Sequence, residues 1–115
     1  MGQSTVEVDA ITIDSYCAAN KVVPQLMKID VEGAEFWALE GMKQVLKDNN
    51  IIVLVEIHYD FLTANNIGGA NFKSLVDEIG YQVYDEKGKK IASQEIINNA
   101  CVILSKENLS EAAFK

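Results

Sequence analysis

Histidine, proline and tryptophan each occur once in this chain, and cysteine only twice. Two cysteines make no disulfide framework, so Cys17 and Cys101 are expected to be small core residues in a reducing setting. No apolar run approaches the length that spans a bilayer, and no membrane association is expected. The first residues lack a basic segment followed by an apolar core, so no signal peptide is expected. Gly2 lies near a myristoylation pattern, but Val6 stands where Ser or Thr is required. A cytoplasmic location follows as the expectation. Basic residues are also scarce, ten Lys and Arg against seventeen Asp and Glu, for a formal charge of −7. That balance argues against a nucleic-acid partner, which demands clustered positive charge. Lys87, Lys89 and Lys90, the one basic cluster, flank Gly88 in an expected solvated turn.

What remains is ordinary globular material. With 49% hydrophobic and 23% charged residues in 115, the chain can fold as one domain but is small for a complete α/β enzyme. Alternation predicts a half-exposed strand over residues 5–9, and 11–13 continue extended. Asp14 is placed to cap a short helix over 15–20 that ends before Pro24. A buried strand over 26–30 follows. A helix over 34–47 sets Ala38, Leu39, Met42, Val45 and Leu46 on one stripe, with Gly41 permitting close approach of helix and sheet. The run 51–57 is almost wholly β-branched or apolar, as in a parallel strand covered on both faces. A loop is expected over 60–71. Phe72, Leu75, Val76 and Ile79 share one face of a helix that Gly80 stops. Strands over 81–84 and 100–104 flank a turn at 85–90, and 106–115 form a surface helix or fray.

The order β-β-α-β-α-β-β contains two right-handed crossovers. Both would place their helices on one face of a mostly parallel sheet with an antiparallel last strand. The other face is then poorly covered and the outer edge of strand 26–30 lacks a partner. On these grounds the chain reads as part of a domain.

The most informative stretch is Met27-Lys28-Ile29-Asp30-Val31-Glu32-Gly33-Ala34-Glu35, running on to Leu39-Glu40-Gly41. Its three carboxylates gather at a strand-to-helix turn, where open α/β sheets hold ligands. This stretch resembles the FkbM-type family of S-adenosylmethionine-dependent methyltransferases, which carries a K-I-D-V-E-G-A-E run followed by L-x-G. Ile11-Thr12-Ile13-Asp14 is similar to the family's upstream T-L-D segment, and Val55-Glu56-Ile57-His58 to its glutamate-bearing strand. The resemblance spans residues 6–84. It implies a Rossmann-like α/β fold and S-adenosylmethionine as cofactor. It also implies methyl transfer to a hydroxyl of a small molecule or sugar. The glycine-rich cofactor half of such enzymes has no counterpart here. The resemblance therefore implies the C-terminal half, with no cofactor-binding residue assigned and binding by this chain alone in doubt.

If strands 26–30 and 51–57 pair in parallel, Asp30, Glu32, Glu56 and His58 converge on one crevice. Asp30 or His58 is then the candidate base, and Glu32, Glu35 and Glu56 the candidate acceptor-binding residues. Their mutual repulsion calls for a cation: Lys28, a divalent metal or the sulfonium of the methyl donor. Plainer roles compete. Glu32 and Glu35 would each complement a helix dipole by about 0.3–1 kcal/mol, Gly33 would permit a tight turn as readily as close approach to a ligand, and a lone histidine is commonly structural. A second hypothesis is a non-catalytic module that dimerises, or meets a separate N-terminal half, through its bare edge and face. A third, a metal-dependent hydrolase using Asp30, Glu56 and His58, ranks behind because no second histidine exists, and no metal is assigned.

Overall fold

The computed structural model describes residues 11–31 and 33–107. The strand expected at 5–9, the tail beyond 107 and Glu32 lie outside the described residues. Within them the order is α1 (Ile13–Asn20), β1 (Leu26–Ile29), α2 (Glu35–Glu40), α3 (Lys43–Asp48), β2 (Ile52–Glu56), α4 (Tyr59–Ala64), α5 (Gly69–Ile79), β3 (Gln82–Asp85), β4 (Lys90–Ile91), a 3-10 helix (Ser93–Asn98) and β5 (Cys101–Ser105).

The five strands form one mixed sheet in the order β1-β2-β5-β3-β4. β1 and β2 pair in parallel, Leu26 opposite Ile52 and Ile29 opposite Val55. The other three pairings are antiparallel, so the expected mostly parallel sheet is corrected. The reason lies in β5. β2 and β3 do run the same way, but β5 inserts between them in the opposite sense. Its Val102, Ile103, Leu104 and Ser105 are all buried, which suits a central position. The two-residue β4, which carries Lys90, takes the edge instead, where a short charged strand discourages further pairing.

The core lies on one face of this sheet. Ile29, Val53, Val55, Val83, Val102 and Leu104 share a single cluster with Leu39, Val45, Leu46, Leu62, Phe72, Leu75 and Val76 from the helices. Strand residues alternate between faces. On the second face Leu26 is 62% and Ile52 38% exposed, whereas Ile103 and Tyr84 further across are buried.

Three local expectations change. Residues 11–13 form no strand: Thr12 is extended, but Ile13 already opens α1, and the Thr12 side chain accepts the Ser15 amide at 3.0 Å as its cap. The helix expected over 34–47 breaks at Gly41-Met42 into α2 and α3. Asp14 causes the break, and it caps α3 rather than α1. Its carboxylate accepts the amides of Gln44 (3.0 Å) and Val45 (2.8 Å), while its own amide donates to the Gly41 carbonyl (2.9 Å). A continuous helix would have needed those same groups for its own ladder. Gly41 thus makes its close approach to Thr12, 3.3 Å from where a Cβ would stand, rather than to the sheet. The segment 60–71 is mostly helical: α4 is anchored by the fully buried Leu62 and stops at Asn65-Asn66, with Asn66 at φ 62°.

Candidate active site

The parallel pairing of β1 with β2 decides where the chemistry-bearing residues sit. With Ile29 opposite Val55, the next residues, Asp30 and Glu56, end neighbouring strands side by side. His58 stands two residues beyond Glu56, at the entrance to α4. One ligand-type atom from each of Asp30, Glu56 and His58 lies within 4.8 Å of the others. Among the described residues neither the Asp30 nor the Glu56 carboxylate has a hydrogen bond or an ion pair.

Glu35 takes a different place. It begins α2 but is fully buried, and its carboxylate joins the two turns at the strand ends. Oε1 accepts the Gly33 amide and lies 3.0 Å from His58 Nδ1, while Oε2 accepts the His58 amide at 3.1 Å. A carboxylate offers only acceptors, so His58 donates from Nδ1 and leaves Nε2 for another partner. Glu35 is therefore spent inside the protein and reaches any ligand through His58. The turn that allows this depends on Gly33 at φ 107°.

Two hollows flank the cluster. One, about 270 Å³, opens on the second face of the sheet and is lined by Lys28, Leu54, Glu56, Ala100 and Cys101. The other, about 310 Å³, is lined by His58, Tyr59, Asp60 and Phe61. Burial pushes the Cys101 thiol above its ordinary range, Glu86 and Glu56 push it further, and Lys28 opposes them. Larger space, about 400 Å³ among Cys17, Val22, Val23, Val45 and Asn49, lies where β1 and β2 begin and is remote from the carboxylates.

The family model of the methyltransferase FkbM domain matches residues 1–87. The chain belongs to that family. Neither a curated protein nor a solved structure matches it. The matched span contains Asp30, Glu35, Glu56 and His58, whereas β4, the 3-10 helix and β5 lie beyond it. Among the described residues no helix is long and apolar enough to cross a membrane.

Sequence reasoning expected Asp30, Glu56 and His58 to converge, and the structure brings one ligand-type atom of each within 4.8 Å of the others. Glu32 lies outside the described residues. The link from Glu35 to His58 was missed, since the two stand 23 residues apart and no local pattern joins them. The available signal was a glutamate at the first helical position before Phe36, two residues beyond a glycine.

Proposed function

We propose that this FkbM-family chain carries the acceptor side of an S-adenosylmethionine-dependent O-methyltransferase acting on a hydroxyl of a small molecule or sugar. The convergence of Asp30, Glu56 and His58 at the carboxyl ends of a parallel strand pair carries this reading. Asp30 or His58 takes the hydroxyl proton, and Glu56 holds the acceptor against the hollow it lines with Lys28. Glu32 is a further acceptor-binding candidate on the same turn. A positioned base is worth about 10²–10⁴-fold in rate.

FkbM methyltransferases generally use S-adenosylmethionine. Rossmann-like methyltransferases hold the nucleoside at a glycine-rich strand-to-helix turn, where the missing side chains let backbone approach the ligand closely. At Gly33, which follows β1, a Cβ would meet the Phe61 ring at 2.3 Å, so that space is already filled. Gly68 and Gly69 follow a helix instead of a strand. The described glycine turns thus offer the nucleoside no such space. We assign the nucleoside site to protein outside the described residues, with this chain as the C-terminal half of the catalytic domain.

The test is transfer of labelled methyl from S-adenosylmethionine to a panel of sugars and hydroxylated small molecules by the intact enzyme, this chain together with the protein that holds the nucleoside. Asp30→Asn is expected to lower the rate 10²–10⁴-fold. Full activity in that variant would remove Asp30 as the base, and tight donor binding by a monomer would overturn the half-domain assignment. A second reading is a non-catalytic module, favoured by the exposed Leu26 and Ile52 and by an outer edge of β1 that no strand among the described residues pairs. A stable dimer that binds no donor would select it.

A further inference from the structure

We infer that Asp30, Glu56 and His58 form a binding site for one divalent cation of the manganese or magnesium class, with Glu35 as its supporting carboxylate. Paired carboxylates alone would not carry this. The imidazole does, because it is held from behind. A metal-bound histidine typically donates its other ring N–H to a carboxylate, which fixes the tautomer and strengthens the ligating nitrogen. Glu35 supplies that carboxylate from a fully buried position, 3.0 Å from His58 Nδ1, and its second oxygen accepts the His58 backbone amide. Both the ring and the backbone that carries it are thus set in place by a residue outside the cluster.

Separation and charge agree with this. Ligands about 2.1 Å from a common octahedral ion stand about 3–4 Å from one another, and the three donor atoms already lie within 4.8 Å. Small side-chain rotations close the difference. Asp30 and Glu56 lack any ion pair among the described residues, and the chain contains no arginine to provide one. Lys28 lines the hollow beside Glu56 without pairing to it. Two oxygen donors and one nitrogen suit ions that accept carboxylates first and tolerate one imidazole. Water or the acceptor hydroxyl would complete the shell from the open side, and with Asp30 and His58 engaged as ligands the ion, in place of either side chain, would acidify that hydroxyl.

The experiment is titration of the full chain with Mn²⁺, following the electron paramagnetic resonance signal of the free ion, with thermal melting in parallel and Mg²⁺ as competitor. One equivalent is expected to leave solution per chain. Asp30→Asn and Glu56→Gln should each weaken binding at least about tenfold. Glu35→Gln should weaken it about 10–100-fold although it touches no ion. Should Glu35→Gln fail to fold, His58→Gln, on a partly exposed side chain, tests the same arm. No saturable equivalent at millimolar Mn²⁺ would overturn the site, as would an equivalent that survives both carboxylate substitutions. Binding is read without methyl donor, so a chain that holds Mn²⁺ while the intact enzyme transfers no methyl loses only the proposed function.

Discussion

Asp14 precedes Val45 by 31 residues, yet its carboxylate accepts the Val45 amide at 2.8 Å and the Gln44 amide at 3.0 Å. Its carboxylate thereby starts α3, and its own amide, on the Gly41 carbonyl at 2.9 Å, ties α1 to the end of α2. Helix starts otherwise leave amides unpaired, and Met42, at the cap position of α3, has no side-chain oxygen to offer. Asp14→Ala should cost about 1–2 kcal/mol in urea denaturation, and Asp14→Asn distinctly less because it keeps one acceptor.

Tyr81 fills a comparable role at the start of β2. Its hydroxyl donates to the Asn49 carbonyl (3.0 Å) and accepts the buried Ile51 amide (3.2 Å). Tyr81→Phe leaves that amide unsatisfied and should cost about 1–3 kcal/mol. Burial also raises the phenol above its ordinary value of 10.0, with the Ile51 amide pulling the other way. The folded state thus keeps a proton that the unfolded chain releases. The contribution is fully present below pH 10 and is lost as pH rises through the raised folded value. The stability difference between wild type and Tyr81→Phe should accordingly shrink in melts above pH 10.

The adjacent glycines at the start of α5 should behave oppositely. A Cβ on Gly69 would lie 2.2 Å from the Gln94 carbonyl oxygen, a backbone atom of the 3-10 helix that cannot swing aside. A Cβ on Gly68 would meet nothing within 4 Å, and its φ of −131° suits any residue. Gly69→Ala should cost more than about 1–3 kcal/mol as an overpacked contact, and Gly68→Ala should change the melting temperature little.

That contrast marks what a sequence can disclose. Periodicity located α5, where Phe72, Leu75, Val76 and Ile79 all turn inward, and short apolar runs located β1, β2 and β5. The meeting of Asp30 with Glu56 followed from two apolar strands with acidic ends. What stayed hidden depends on distant partners. Nothing local says that β5 separates β2 from β3, that Asp14 interrupts a fourteen-residue apolar stripe, or that Glu35 holds His58. α4 escaped because only Leu62 anchors it among six residues, too few to reveal a period. Each of these features is a long-range hydrogen bond or pairing whose two halves look unremarkable alone.

Gly33 offers the sharpest separation of two local effects. Its φ of 107° is strained for any residue with a Cβ, and a Cβ there would also collide with the Phe61 ring at 2.3 Å. The first effect belongs to the backbone, typically about 1–3 kcal/mol, and the second to one half-exposed side chain. Gly33→Ala should therefore destabilise by more than about 3 kcal/mol if the ring cannot move. Phe61→Ala alone should cost little, as half of that ring already faces solvent. In the Phe61→Ala background the alanine at 33 should cost only the backbone share, so the two substitutions couple favourably in a double-mutant cycle. Strict additivity in urea melts would show that Phe61 yields freely and that backbone conformation alone keeps glycine at 33. The Gly33 amide also donates to Glu35, which holds His58. Any loss of that turn should therefore reach the Asp30–Glu56–His58 cluster as well as the stability of the fold.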